Sequence, residues 1–134
     1  MPNLIKNGDF SQEGNEWTAS NPDNVFYESG YCLIGSWDSI HQDVIINNGG
    51  TFKLSAKLKT EGGFGSKVSV ETVPSGEKFD LLHASGGQDW FLDEKTFTVQ
   101  EGTLKLIVTL QAADGLSGGK GCYFDDLKLS RESK

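Results

Sequence analysis

The feature that most limits what this chain can become is the alternation of apolar and polar side chains in Thr51-Phe52-Lys53-Leu54-Ser55-Ala56-Lys57-Leu58-Lys59. Successive side chains of an extended strand point to opposite faces. Phe52, Leu54, Ala56 and Leu58 therefore share one face, and Lys53, Ser55, Lys57 and Lys59 share the other. A helix would scatter the same residues around its circumference. The pattern predicts a strand with one face in a core and a solvated lysine-rich face. Lys67-Val68-Ser69-Val70-Glu71 repeats it. Residues 103–111 do so again, with Leu104, Leu106, Val108 and Leu110 on one side and Lys105, Ile107, Thr109 and Gln111 on the other. Further strands are expected at 31–35, 40–46, 95–99 and 123–129.

Turn chemistry separates these segments, at Asn47-Asn48-Gly49-Gly50, Glu61-Gly62-Gly63, Pro74-Ser75-Gly76, Ser85-Gly86-Gly87 and Ser117-Gly118-Gly119. The 17 glycines against 3 prolines suit a chain that reverses direction this often. No segment carries the period of an amphipathic helix, and no linker, repeat or low-complexity stretch divides the 134 residues. The expectation is one all-β domain over residues 1–134, a two-sheet antiparallel β-sandwich. A chain of this length buries a core without staples.

Charge narrows the partners. A formal net charge of −7 argues against nucleic acid, whose binding rests on Lys and Arg neutralising phosphates. It argues equally against anionic membranes and acidic polysaccharides, and fits a neutral partner best. Cys32 and Cys122 are far apart and lack metal-ligand spacing. Two buried free thiols are the favoured reading, with one long-range disulfide as the alternative. The N-terminal Met1-Pro2-Asn3-Leu4-Ile5-Lys6 has no long apolar stretch of a secretion signal. No apolar run approaches a membrane span. The chain is thus expected to be soluble: cytoplasmic, exported by another route, or a module of a larger protein.

Catalysis finds little footing. The two histidines, His41 and His83, sit in no nucleophile, zinc or phosphate motif. Carboxylates are plentiful, and glycoside cleavage needs only two facing each other, such as Asp38 with Glu71. None lies in a motif tied to that chemistry, so a non-enzyme is expected.

Both ends of the chain carry a further pattern. Asn3-Leu4-Ile5-Lys6-Asn7-Gly8-Asp9-Phe10, followed by Trp17, resembles the opening of carbohydrate-binding modules of families 4, 9 and 22. Gly50-Thr51-Phe52-Lys53-Leu54-Ser55 is similar to their Gly-x-Tyr/Phe-x-Leu-Ser strand. Trp90 ahead of Thr96-Phe97-Thr98-Val99, and the closing Tyr123-Phe124-Asp125-Asp126-Leu127-Lys128-Leu129, resemble two more family segments in the expected order. The resemblance spans nearly the whole chain. It implies a galactose-binding-like jelly roll that binds a carbohydrate, lectin-like and without catalysis. The alternative it leaves open is a structural or protein-interaction module of the adhesin or phage type on the same scaffold.

The resemblance also implies a structural calcium ion tying the N-terminal segment to the last strand. Ca²⁺ takes six to eight hard oxygens, and the family's positions map onto Ser11, Glu28 and Asp125, with main-chain oxygens near Gly8 and Tyr31. Ser11 departs from the usual carboxylate there. Asp9 is close by but points away if this segment is extended. Without a metal, Asp125 would instead accept hydrogen bonds from N-terminal amides.

Sugar recognition needs flat aromatic faces for pyranose C–H groups and polar side chains for hydroxyls. Trp17 and Trp90 match positions that the family uses structurally, and both are expected in the core. Trp37, in the loop Gly35-Ser36-Trp37-Asp38-Ser39, is the candidate stacking platform; the alternative is a ring folded over the end of the sandwich. His41 and Gln111 lie on outward strand faces, where they can donate to hydroxyls. Tyr27, Phe64 and Phe79 are weaker aromatic candidates on loops or edges.

Overall fold

A computed structural model of the chain describes residues 3–28, 30–35, 37–60, 65–112 and 121–132. Within them run β1 (Thr18–Ala19), β2 (Val25–Glu28), β3 (Tyr31–Ile34), β4 (Ser39–Ile45), β5 (Gly50–Thr60), β6 (Gly65–Val73), β7 (Lys78–Ser85), β8 (Phe91–Val99), β9 (Lys105–Ala112) and β10 (Cys122–Arg131). They form two five-stranded antiparallel sheets. A front sheet has the order β1-β4-β9-β6-β7, and a back sheet the order β2-β3-β10-β5-β8. The sheets stack as a sandwich, as the alternation requires. Among the described residues no helix is long and apolar enough to cross a membrane. The expected turns at Glu61-Gly62-Gly63 and Ser117-Gly118-Gly119, and the candidate Phe64, lie outside the described residues.

The two strands read most directly from the sequence supply the centre of the core. Phe52, Leu54, Ala56 and Leu58 of β5 in the back sheet are fully buried, and so are Leu106, Val108 and Leu110 of β9 in the front sheet. Each such leucine contributes roughly 1.5–3 kcal/mol. Leu104 breaks the expectation: it is 55% exposed, and β9 begins one residue after it. Alternation decides the side to which a residue points, but not how far the opposite sheet extends to cover it.

A bulge explains the strand that the period missed. Val68 pairs with Leu82 and Ser69 with Asp80, so Leu81 is an extra residue and the phase of β7 shifts there. Phe79 before the bulge and Leu82 after it both face inward, so 78–85 does not read as a strand. In β10, Asp125 pairs with Lys57 and Lys128 with Ser55, with Asp126 at the irregularity in a left-handed conformation of φ 49°. Strands β1 and β2 are short edge strands with too few residues to show a period.

Both cysteines are buried and are not joined by a disulfide. Cys32 pairs with Phe124 and Cys122 with Ile34, which separates the thiols along the β3–β10 ladder. The Cys122 thiol donates to the Gly65 carbonyl at 3.2 Å. Burial pushes the Cys32 thiol far up, so it stays protonated.

The N-terminal segment stitches itself to the last strand. Asn3 Nδ2 donates to the Leu127 carbonyl, while its Oδ1 accepts from the amides of Ile5 and Leu129. The Leu127 amide donates to the Gly8 carbonyl at 2.9 Å, and a Cβ on Gly8 would collide with the Leu127 oxygen. Trp17 is buried as expected, its Nε1 donating to the Asn7 carbonyl.

Candidate functional site

The strand directions gather one set of connections at one end of the sandwich. There β3 gives way to β4, β5 ends, β6 begins, β7 ends, β8 begins and β9 ends. The loop between β3 and β4 places Trp37 on this open end. Its ring is 65% exposed, and its backbone sits at φ 67°. A bulky residue in that region is strained by roughly 1–2 kcal/mol. Neighbouring bonds hold it there. The Trp37 amide donates to the Ala112 carbonyl, the Asp38 amide to Gly35, and the Ala112 amide to Asp38. The Asp38 carboxylate accepts from the Ser20 hydroxyl at 3.0 Å and from Asn24 Nδ2 at 2.6 Å.

Beside Trp37 lies a shallow depression of about 370 Å³ lined by Gly65, Ser66, Lys67, His83, Ala84 and Gln111. Cross-strand register explains the grouping, since Ser39, Gln111, Lys67 and His83 occupy one rung running across β4, β9, β6 and β7. Their side chains share the outer face of the front sheet. Lys67 Nζ stands 3.8 Å from Asp80, an open ion pair of little energetic weight. The Ser66 hydroxyl is buried, with no hydrogen-bond partner among the described residues.

The structure therefore brings Trp37 and Gln111 together. His41 shares their face on the next rung, opposite Thr109, but lines a separate cleft of about 630 Å³ with Asn3, Glu16 and Thr18. Tyr27 and Phe79 are not brought to the groove. Tyr27 packs on Phe10 at 5.9 Å at the far edge of the back sheet, and burial pushes its hydroxyl up to about 12. Phe79 turns inward onto Phe97 at 5.4 Å. Sequence reasoning missed Lys67 and His83. Lys67 was visible as an outward position, but only register shows that it neighbours Gln111. His83 was hidden by the phase shift in β7.

Asp38 and Glu71 do not form a facing pair. Asp38 is engaged by Ser20 and Asn24, whereas Glu71 lies further down β6 against Ile107 and Lys78. Among the described residues the depression has no carboxylate in its lining.

We find no protein-family model that matches the sequence, and no curated protein matches it either. Solved structures do match its shape. A family 4 carbohydrate-binding module superposes with a TM-score of 0.72 at 18% identity, over 96% of this chain and 99% of that one. A family 61 carbohydrate-binding module in complex with β-1,4-galactotriose gives 0.66 at 20% identity, over 98% and 100%. The fold is that of a carbohydrate-binding module. The same fold occurs in the enzymatically active domain of tailspike protein 4 of bacteriophage CBA120, with a TM-score of 0.71 at 13% identity over 97% of this module. The module spans only 21% of that tailspike chain.

Strand register relates three of the residues expected at a calcium site. Glu28 pairs with Tyr31 at the end of the β2–β3 ladder, and Cys32 pairs with Phe124, which places Tyr31 beside Asp125. The segment holding Asp9 and Ser11 runs through tight turns and is not extended. Asp9 therefore does not simply point away, and its charge is felt at Asp125. The Asp9 carboxylate accepts from the Ser11 amide, which lowers its pKa. Asp125 is half-buried, and that burial is the main cause raising its carboxyl above the ordinary range. Among the described residues no three His, Cys, Asp or Glu side chains converge, so an ion here would draw on main-chain oxygens.

Trp90 departs from expectation. It is 37% exposed and lies on the outer face of the back sheet, packed against Tyr31 and Tyr123 rather than inside the core.

Proposed function

We propose that this module binds a neutral carbohydrate chain, without cleaving it, across the front-sheet face beside Trp37. The observation that carries the reading is the Trp37 indole, a flat apolar surface held exposed in an unfavourable backbone conformation. Core formation asks for no such exposure, whereas a pyranose C–H face does. Lys67, His83 and Gln111 supply donors and an amide acceptor for ring hydroxyls. An open, shallow depression suits a chain lying across it better than a small molecule enclosed in it. The net charge of −7 favours a neutral saccharide. Likeness to a module in complex with β-1,4-galactotriose supports the ligand class.

Tryptophan fluorescence titrated with β-1,4-galactotriose, cellohexaose and xylohexaose tests the reading. Trp37→Ala is expected to weaken binding at least tenfold, about 1.4 kcal/mol, while the melting temperature barely moves. A folded Trp37→Ala protein with unaltered affinity would sink it.

We also propose calcium at Asp125, with Glu28, Ser11 and the main-chain oxygens near Tyr31 completing the set. These are hard oxygens only, which suits Ca²⁺ rather than zinc. Melting with calcium and then with chelator checks it through ligand-linked stability. Equal melting temperatures would refute it.

A protein-interaction role is favoured by one observation. At the end of the front sheet away from Trp37, Ile45 and Leu104 are 64% and 55% exposed, and the Ile46 amide donates to the Leu104 carbonyl. Self-association abolished by Leu104→Asp, with no saccharide response, would establish this second reading in place of the first.

A further inference from the structure

We propose that the back sheet carries a second saccharide-binding site, centred on Trp90, so that one module holds two glycan chains on opposite faces. The ligand class is taken from the front-sheet reading; the residues are independent of it.

Trp90 meets Tyr31 at 6.0 Å and Tyr123 at 6.2 Å, both edge-on, and the two tyrosine rings are 5.5 Å apart. Lys59 Nζ lies 5.1 Å over the Tyr123 ring. Backbone bonds fix the approach to Trp90, with the Thr60 amide donating to the Gln88 carbonyl and the Gln88 amide to Thr60 Oγ1. T-shaped packing onto two neighbours locks the indole in place. Trp90 lines a depression of about 410 Å³ together with Lys57, Phe91, Leu92 and Asp125. Leu92 is 59% exposed there, a cost that the sandwich itself does not explain.

The chemistry of this depression matches a sugar. An indole and a leucine offer apolar surface to a C–H face, while the Lys57 ammonium donates to hydroxyls. Lys57 is also paired with Asp126 at 3.1 Å, which holds the ammonium at the rim. An apolar partner protein would have to desolvate both charges. A saccharide exchanges water hydroxyls for its own.

The three tryptophans give three indole N–H resonances, assigned by single Trp→Phe variants. We would titrate the full chain with β-1,4-galactotriose, cellohexaose and xylohexaose. The expected result is saturable movement of both the Trp37 and Trp90 resonances, with two saccharides bound per chain. Trp90 should still move in Trp37→Ala. Movement of Trp90 alone keeps the back-sheet site, removes the front-sheet site and overturns the two-glycan stoichiometry. Movement of Trp37 alone, or of neither, overturns the back-sheet site; so does broadening of Trp90 with protein concentration alone, which would make the face a self-association surface.

Discussion

The two ends of the sandwich are built on opposite plans. At the end away from Trp37, the Arg131 guanidinium donates to the carbonyls of Gly49 at 2.7 Å, Asn48 at 3.2 Å and Ile46 at 3.3 Å. Its cation lies 4.6 Å over the Phe52 ring, so the last strand clamps the turn that opens β5. Gly49 presses against the backbone of Val99 and Gln100, and the Thr103 hydroxyl bonds the Gln100 carbonyl. Polar groups there are spent on one another. At the open end, an indole is held out into water, and the Ser66 hydroxyl is buried with no partner among the described residues. The contrast teaches where the polar groups go: one end spends them on closing the fold, and the other leaves apolar surface that folding does not use.

Three substitutions test that division. Gly49→Ala should cost most, about 3 kcal/mol, because its Cβ meets the backbone of Gln100 and Val99 rather than a side chain that can swing away. Chemical denaturation should show this loss with saccharide affinity unchanged. Arg131→Ala follows at about 2 kcal/mol, since charge-assisted bonds to three carbonyls are lost together; its affinity should also stay intact. Asp38→Ala should cost about 1 kcal/mol by releasing Ser20 and Asn24, yet weaken saccharide binding several-fold by loosening the Trp37 loop. Equal effects of Arg131→Ala and Asp38→Ala on binding would erase the distinction between the ends.

The smallest effect concerns pH. Burial raises the Asp125 carboxyl above its ordinary value of 3.8, outweighing the bond from the Asp126 amide. The native state then holds that proton more tightly than the unfolded chain. In chelator this group's contribution is full below the ordinary value and fades as pH climbs through the raised one. Asp125→Asn should flatten that slope in melts run across acid to neutral pH. A slope unaltered by the substitution would place its origin elsewhere.

Much of the fold was legible because alternation is local. Phe52 to Leu58 and Leu106 to Leu110 declare their inward faces within a few residues, and Asn7-Gly8 marks where the N-terminal turns meet the last strand. What local pattern could not carry was phase after a bulge. One extra residue at Leu81 conceals β7 and with it His83. The site was half legible. Trp37 announced itself as an aromatic in a turn, and Gln111 as an outward polar residue on a strand. Lys67 and His83 join them only through register. Tyr27 and Phe79 dropped out because an aromatic on an edge strand still chooses between core and water.

Sequence alone thus determined the class of fold, the buried faces of β5 and β9, and the presence of a tryptophan in the loop between β3 and β4, since each depends on neighbours a few residues apart. Tertiary structure alone decided which strands lie side by side, that Cys32 and Cys122 stay apart, and that Trp90 faces outward. Those outcomes depend on the coverage and register of strands distant in the chain, which no local period encodes.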